Sequence, residues 1–169
     1  MSNNVYIAGH NGMVGSAIFK KLKESGFKKI ITRNRKNLDL TNQDKTFKFL
    51  KKYRPNFVII AAAKVGGIGA NNKFKDEFIY ENLQIQNNII HGSYLAGVKN
   101  LFLLGSSCIY PKKCQQPMKE KYLLTGPLEE TNDAYAIAKI AGLKMCEAYN
   151  NQYKTNYICL MPCNLFGPN

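Results

Sequence analysis

Val5-Tyr6-Ile7-Ala8-Gly9-His10-Asn11-Gly12-Met13-Val14-Gly15-Ser16 runs from a short apolar strand, through glycines spaced G-x-x-G-x-x-G, into the first turn of a helix. The strand is expected over 5–8. The helix is expected over 14–24, with Ile18, Phe19 and Leu22 facing inward and Gly26 ending it. Glycines at such a junction permit a tight turn and let backbone approach a pyrophosphate at the helix N-terminus. A plain glycine turn has the same composition. Position separates the two readings, because this loop falls at the first strand-to-helix junction of an alternating chain.

The alternation continues to the C-terminal end. A second strand is predicted over 29–32, and a short third strand around Leu38-Asp39-Leu40. Thr41 and Asp44 suggest a capping box for a helix that reaches about Tyr53, and Pro55 closes it. Residues 57–63 form a continuous apolar run of the kind found in a sheet covered on both faces. A glycine-rich loop, Lys64-Val65-Gly66-Gly67-Ile68-Gly69, leads to a long helix over 76–96 and a strand over 101–105. Residues 108–132, with Pro111, Pro117 and Pro127, read as one irregular segment long enough to cover a site. A helix over 133–153 and a strand over 157–161 follow. The order predicts an α/β fold, a doubly wound parallel sheet of the Rossmann type, with ligands at the carboxyl ends of the strands.

Three further places carry chemistry. After the second strand stands Arg33-Asn34-Arg35-Lys36, where an NAD site would offer an acidic group to the ribose hydroxyls. Arginine suits a ribose phosphate and points to NADP. Asp39 either meets the adenine edge or caps the next helix. At the end of a buried strand, Gly105-Ser106-Ser107-Cys108 would direct Ser106 into the ligand crevice to polarise a substrate oxygen. Finally, Tyr135 and Lys139 in Asp133-Ala134-Tyr135-Ala136-Ile137-Ala138-Lys139 share one helix face. A phenol with a pKa of about 10 needs about 1.4 kcal/mol for each unit of lowering. A cation at ~4 Å and an effective dielectric of about 20 supplies roughly 4 kcal/mol before desolvation. Lys139 is therefore expected to favour the Tyr135 phenolate.

Composition limits the remaining classes. A chain of 169 residues suits one domain. It contains no apolar run long enough to span a membrane, and Met1-Ser2-Asn3-Asn4 lacks the basic-then-apolar pattern of an export signal. No membrane partner and a cytoplasmic location are expected. Five cysteines, without metal-ligand spacing, read as reduced thiols, and no metal is expected. The formal charge of +13 raises nucleic-acid binding. However, Lys20, Lys21 and Lys23, then Lys45, Lys48, Lys51 and Lys52, alternate with apolar positions as on solvated helix faces. No nucleic-acid partner is expected. The same field favours anionic small ligands.

Together the glycine loop, the strand-end serine and Tyr-x-x-x-Lys resemble the extended short-chain dehydrogenase/reductases. More specific strings, Ala61-Ala62-Ala63-Lys64-Val65-Gly66-Gly67-Ile68, Gly105-Ser106-Ser107-Cys108-Ile109-Tyr110-Pro111 and Met161-Pro162-Cys163-Asn164-Leu165-Phe166-Gly167-Pro168, are similar to those of the GDP-L-fucose synthase branch. That family epimerises C3 and C5 of GDP-4-keto-6-deoxy-mannose and reduces the C4 ketone with NADPH. The resemblance implies that Tyr135 protonates the C4 oxygen, Lys139 lowers its pKa and binds the nicotinamide ribose, Ser106 holds the oxygen, and Cys108 is the epimerisation base. It implies NADP(H) lying against Gly9, Asn11, Gly12, Met13, Val14 and Gly15, then Arg35, Asp39, Leu40, Ala62 and Ala63. The nicotinamide end would meet Leu104, Gly105, Ser106, Ser107, Tyr135 and Lys139, with Pro162, Cys163, Asn164 and Leu165 closing the site.

Two departures stand out. Asn11 occupies a place where the family usually has a basic residue, which shifts phosphate recognition to Arg35. The family also carries about as many residues again after Gly-Pro, supplying a histidine and most of the GDP-sugar pocket. Neither His10 nor His91 stands where it could replace that histidine. The chain is thus expected to be the NADP-binding domain, partnered by a GDP-sugar and by a homodimer mate or a complementing C-terminal half. Related nucleotide-sugar epimerases or dehydratases, and a truncated non-catalytic NADP-binding module, remain as alternatives.

Overall fold

The structure is a computed structural model and describes residues 4–168. The export-signal reading at Met1–Asn3 lies outside them. Five parallel strands form one sheet: β1 (Asn4–Ala8), β2 (Lys29–Thr32), β3 (Phe57–Ile60), β4 (Asn100–Leu104) and β5 (Asn156–Leu160), in the order β2-β1-β3-β4-β5. The helices are α1 (Met13–Glu24), α2 (Gln43–Tyr53), α3 (Ile68–Lys73), α4 (Lys75–Leu95) and α5 (Asp133–Tyr153). The strands bear out the expected doubly wound sheet. β1 pairs with β2 on one side, where Val5 faces Ile30, and with β3 on the other, where Val5 faces Phe57. The chain leaves β1 toward one edge and returns past it, so a crevice opens above the C-terminal ends of β1 and β3.

Burial follows the pleat. Tyr6, Ala8, Val58, Ile60, Leu101, Leu103 and Tyr157 point to one face and pack against Phe49 and Leu50 of α2, Ile89 and Ile90 of α4, and Cys146 of α5. On the other face Val5 and Ile7 are buried, and α1 packs over β1 and β2. Farther along that face Ile158 and Leu160 of β5 remain 39% and 46% exposed. Ile18, Phe19 and Leu22 of α1 are only half-buried, with Gly15 its one fully buried residue. Among the described residues no helix is long and apolar enough to cross a membrane.

Several local readings change. No strand forms at Leu38–Leu40. Leu38 is buried in the core, and the carbonyls of Leu40 and Thr41 accept from the Asn88 side chain at 2.9 and 3.1 Å, so the backbone is satisfied without a ladder. The cap of α2 is Asn42, accepting from Lys45 N at 2.9 Å, because Thr41 is occupied with Asp39. β3 stops at Ile60, leaving Ala61–Ala63 free to line the crevice. The glycine loop after β3 contains the short α3, and the proline-rich segment includes helical turns at Ser107–Ile109 and Glu120–Tyr122.

Helix α4 turns polar residues inward. Asn82, Gln86 and Asn88 are each at most 3% exposed. Asn82 exchanges hydrogen bonds with the backbone of Lys64, Asn88 holds the loop at residues 40–41, and Gln86 donates to Ala138 O of α5. Buried amides survive only when paired, and here their partners are the two loops that wall the crevice and the helix carrying Tyr135.

Candidate dinucleotide crevice and catalytic wall

The turn after β1 depends on two glycines. Gly9 has a φ of +84°, and a Cβ there would stand 2.5 Å from Ala62 N. A Cβ on Gly15 would stand 2.0 Å from Gly9 O. The loop is therefore pressed between α1 and the end of β3. Gly12 differs, because its Cβ would meet only Gly9 O at 3.6 Å, which leaves this surface open. Gly12 is also the N-cap of α1 and offers no side-chain acceptor, so the first amides of the helix are left for a ligand.

A cavity of about 850 Å³ extends from this loop along the sheet. It is lined by Gly9, Asn11, Gly12, Met13, Val14 and Gly15 at one wall, Arg35, Asp39 and Leu40 at one end, and Ala62 and Ala63 along the floor. Leu104, Gly105, Ser106, Tyr135 and Lys139 line the other end, with Pro162, Cys163, Asn164 and Leu165. Ser107 and Cys108 are not among the lining residues. Lining residues without a signal in the sequence reading include Thr41, Glu81 and Ile85; Glu81 and Ile85 sit on α4, far along the chain from both loops.

At the basic end the two arginines have separate jobs. Arg33 donates to the Tyr53 hydroxyl and the Thr32 carbonyl, both at 2.6 Å, and its guanidinium lies over the Phe49 and Tyr53 rings. It lines the cavity but is tied to α2 and to the end of β2. Arg35 projects into solvent with 71% of its side chain exposed and touches Glu81 at 3.3 Å. Asp39 accepts from Thr41 N at 3.0 Å and from the Thr41 hydroxyl at 2.8 Å, bonds that hold its carboxyl below the usual range. Asp39 thus closes a turn rather than capping α2.

At the opposite end, Tyr135 and Lys139 occupy successive turns of α5. Lys139 Nζ donates to Leu104 O at 2.8 Å and stands 5.6 Å from the Tyr135 ring centroid. The protonation states differ from the simple ion-pair expectation. Burial, reinforced by Cys108, pushes the Tyr135 phenol up to about 12. Burial brings the Lys139 amine down to about 8. Desolvation outweighs attraction in the ligand-free chain, so the phenol is a stored acid at neutral pH rather than a phenolate. Cys108 shares this environment: burial raises its thiol, while Ser106 and Lys139 pull it back less strongly. Ser106 Oγ accepts from Cys108 N at 3.4 Å. A ketone oxygen placed beside Ser106 and Tyr135 would meet one hydroxyl that polarises it and one that can protonate it.

Lys139 has a measurable cost to the fold. It is 5% exposed, and holding its amine at about 8 rather than 10.5 opposes folding by roughly 3 kcal/mol at pH 7. Below pH 8 both the folded and unfolded states carry the proton and the whole penalty stands. Between 8 and 10.5 the unfolded state binds more protons, so the penalty is relieved as pH rises. Lys139→Met is expected to stabilise the chain by about 1–3 kcal/mol at pH 7, with the gain shrinking toward pH 10. Urea unfolding at pH 7 and 9.5 measures this, and an equal or negative difference at pH 7 would contradict it.

The residues present fit an anionic dinucleotide. Helix amides and the bare Gly12 face one edge, an exposed guanidinium in weak contact with Glu81 stands at one end, and a hydroxyl pair with a buried amine stands at the other. Such a crevice at the switch point of a doubly wound sheet defines a Rossmann-class dinucleotide-binding domain. The profile of the NAD dependent epimerase/dehydratase family matches residues 5–169, and the chain belongs to that family. It is 55% identical over 164 residues to a GDP-L-fucose synthase of Sinorhizobium fredii, covering 97% of this chain and 52% of that protein. A solved GDP-D-glycero-L-gluco-heptose synthase of Campylobacter jejuni, in the presence of NADPH, superposes with a TM-score of 0.95 at 45% identity, over 99% of this chain and 49% of that one. A GDP-L-fucose synthetase from Naegleria fowleri bound to NADP gives 0.89 at 33% identity, over 98% of this chain and 55% of that one. The chain spans about half the length of the curated relatives it matches.

Proposed function

We propose that this chain is the NADP(H)-binding and catalytic half of an epimerase/reductase that converts GDP-4-keto-6-deoxy-mannose to GDP-L-fucose. The observation that carries the reading is the convergence of Ser106, Tyr135 and Lys139 on one end of a crevice whose other wall is the glycine loop. A bound NADPH supplies the hydride. Gly12 and the first amides of α1 would hold its pyrophosphate, and Arg35 its ribose phosphate.

Tyr135 donates its proton to the C4 oxygen, and Ser106 hydrogen-bonds the same oxygen. Lys139, still ammonium below about pH 8, stabilises the phenolate that proton donation leaves. Before reduction, the C4 ketone acidifies the C3 and C5 hydrogens. Cys108 takes such a proton as thiolate, and the electron pair moves onto the C4 oxygen, where the same two hydroxyls receive it. The carbon is then reprotonated from the opposite face. Because burial raises the Cys108 thiol, thiolate is the minor form at neutral pH and its formation is part of the barrier.

The acid on the opposite face, and most of the sugar pocket, come from a complementing C-terminal half, which would also cover the apolar sheet face around Ile158 and Leu160. The partly exposed Ile79 and Leu83 of α4, with Ile137 of α5, support a homodimer through these helices. A biosynthetic role on a nucleotide sugar agrees with a cytoplasmic location.

Incubation with NADPH and the keto-sugar in heavy water, with and without the complementing half, tests the reading. Deuterium at C3 and C5 together with NADPH oxidation is expected from the assembled pair. Cofactor binding without exchange or oxidation in that pair would leave a non-catalytic binding module instead.

A further inference from the structure

Glu81 lies in the second turn of α4, and its carboxylate reaches two cations from different loops. One oxygen accepts from Arg35 Nη2 at 3.3 Å and the other from Lys64 Nζ at 3.1 Å. Lys64 also meets Glu77 at 2.8 Å. Arg35 follows β2 and Lys64 follows β3, so Glu81 ties the two walls of the crevice at its basic end. Arg35, Lys64 and Glu81 all line the main cavity, and a smaller adjoining hollow is bordered by Arg35, Thr41, Asp76, Glu77, Tyr80 and Glu81. The Glu81 side chain is 19% exposed, whereas that of Arg35 is 71% exposed. The anion is fixed and the cation is free to swing.

Among the other cavity-lining groups at this end, Arg33 is held by Tyr53 and Thr32, and Asn11 brings no charge to the glycine loop. A ribose phosphate arriving at this end therefore meets Arg35 with a carboxylate already on it. An exposed guanidinium–carboxylate contact at 3.3 Å is weak, and a phosphate that accepts two guanidinium N–H bonds displaces it. The displaced carboxylate stays nearby, held by Lys64 and the helix, and repels the phosphate.

We propose that Glu81 is the resident counter-anion of Arg35 and sets how strongly the crevice discriminates between 2′-phosphorylated and unphosphorylated adenosine ribose. This rests on the NADP(H) reading above and adds to it a positioning residue that acts through Arg35. Phosphate binding becomes an exchange of one anion for another, so selectivity reflects the difference between two pairs rather than the strength of one.

Titration calorimetry of the 169-residue chain with NADP+ and with NAD+ tests this. Glu81→Gln keeps an acceptor for Lys64 and removes the charge. It is expected to tighten NADP+ binding about 3–10-fold at low salt while changing NAD+ binding less than about 2-fold, with the gain fading at high salt. Glu77→Gln breaks a Lys64 contact without touching Arg35 and should leave the NADP+/NAD+ ratio as it was. Thermal unfolding of each variant separates a charge effect from a loss of fold. If wild type prefers NADP+ and Glu81→Gln leaves the ratio unchanged or lowers it, this inference fails while the cofactor reading stands. If wild type shows no preference for NADP+, the cofactor reading itself fails.

Discussion

Gly15→Ala is expected to destabilise the chain by about 2–4 kcal/mol and to lower dinucleotide affinity at least ~10-fold, because it forces backbone against backbone. The added Cβ would stand 2.0 Å from Gly9 O, 2.7 Å from Gly9 C and 2.9 Å from His10 Cα. None of these is the end of a flexible side chain that could turn away. Gly9 cannot retreat either, since it already packs against Ala62. Either α1 lifts from the sheet or the loop shifts, and both displace the amides that face the crevice. Gly12→Ala provides the contrast. Its Cβ fits at 3.6 Å from Gly9 O, so it should unfold at nearly the same urea concentration as wild type while still weakening the dinucleotide. A Gly15→Ala chain with the wild-type midpoint and affinity would show that the loop is not packed as described.

Tyr135→Phe is expected to lower ketone reduction by about 10²–10⁴-fold in the assembled pair, with NADPH affinity changed less than about 2-fold. Phenylalanine preserves the ring beside Lys139 and removes only the hydroxyl proposed to donate the proton. The pH dependence follows from the two shifts. Tyr135, pushed up to about 12, remains protonated across the working range and produces no break below pH 10. Lys139, down at about 8, loses its charge as pH rises through that value, and with it the support for the phenolate. Reduction by the wild-type pair should therefore be level at lower pH and decline above about pH 8. A Tyr135→Phe variant that reduces the ketone at the wild-type rate would remove the proton donor from the scheme, and a break near pH 10 without one near 8 would reassign the titration to the phenol.

Adjacency on a helix predicts that Lys139 favours a phenolate, and the Lys139 amine does stand 5.6 Å from the Tyr135 ring centroid. Burial is not legible locally, because it depends on what packs against α5, as where the Lys139 amine meets Leu104 O at the end of β4, 35 residues away. The same limit explains Leu38–Leu40. Three apolar-patterned residues after β2 look like a strand, yet whether they join a ladder is decided by what else can satisfy their carbonyls, here Asn88, 48 residues away from Leu40. Polar residues at Asn82, Gln86 and Asn88 would be assigned to the solvent face by periodicity, and they face inward because Asn82 and Asn88 pin loops and Gln86 bonds the backbone of α5. Cys108 illustrates the gap at the site: its place just after a buried strand is legible, whereas the helical turn Ser107–Ile109 that holds it, and its lying outside the cavity lining, are not.

The sequence by itself determined the alternation of the five sheet strands with α1, α2, α4 and α5, the glycine turn and the Tyr135–Lys139 spacing, since each is set within a few residues by periodicity, backbone freedom and i,i+4 geometry; the false strand at Leu38–Leu40 and the short α3 mark where that local pattern fails. Only the tertiary structure decided which of the two crevice-lining arginines is tied down by its neighbours, which carboxylate meets the other and which protons are held at pH 7. Those depend on burial and on partners as distant as the 46 residues between Arg35 and Glu81, and no local pattern encodes the dielectric around a side chain or the group that meets it.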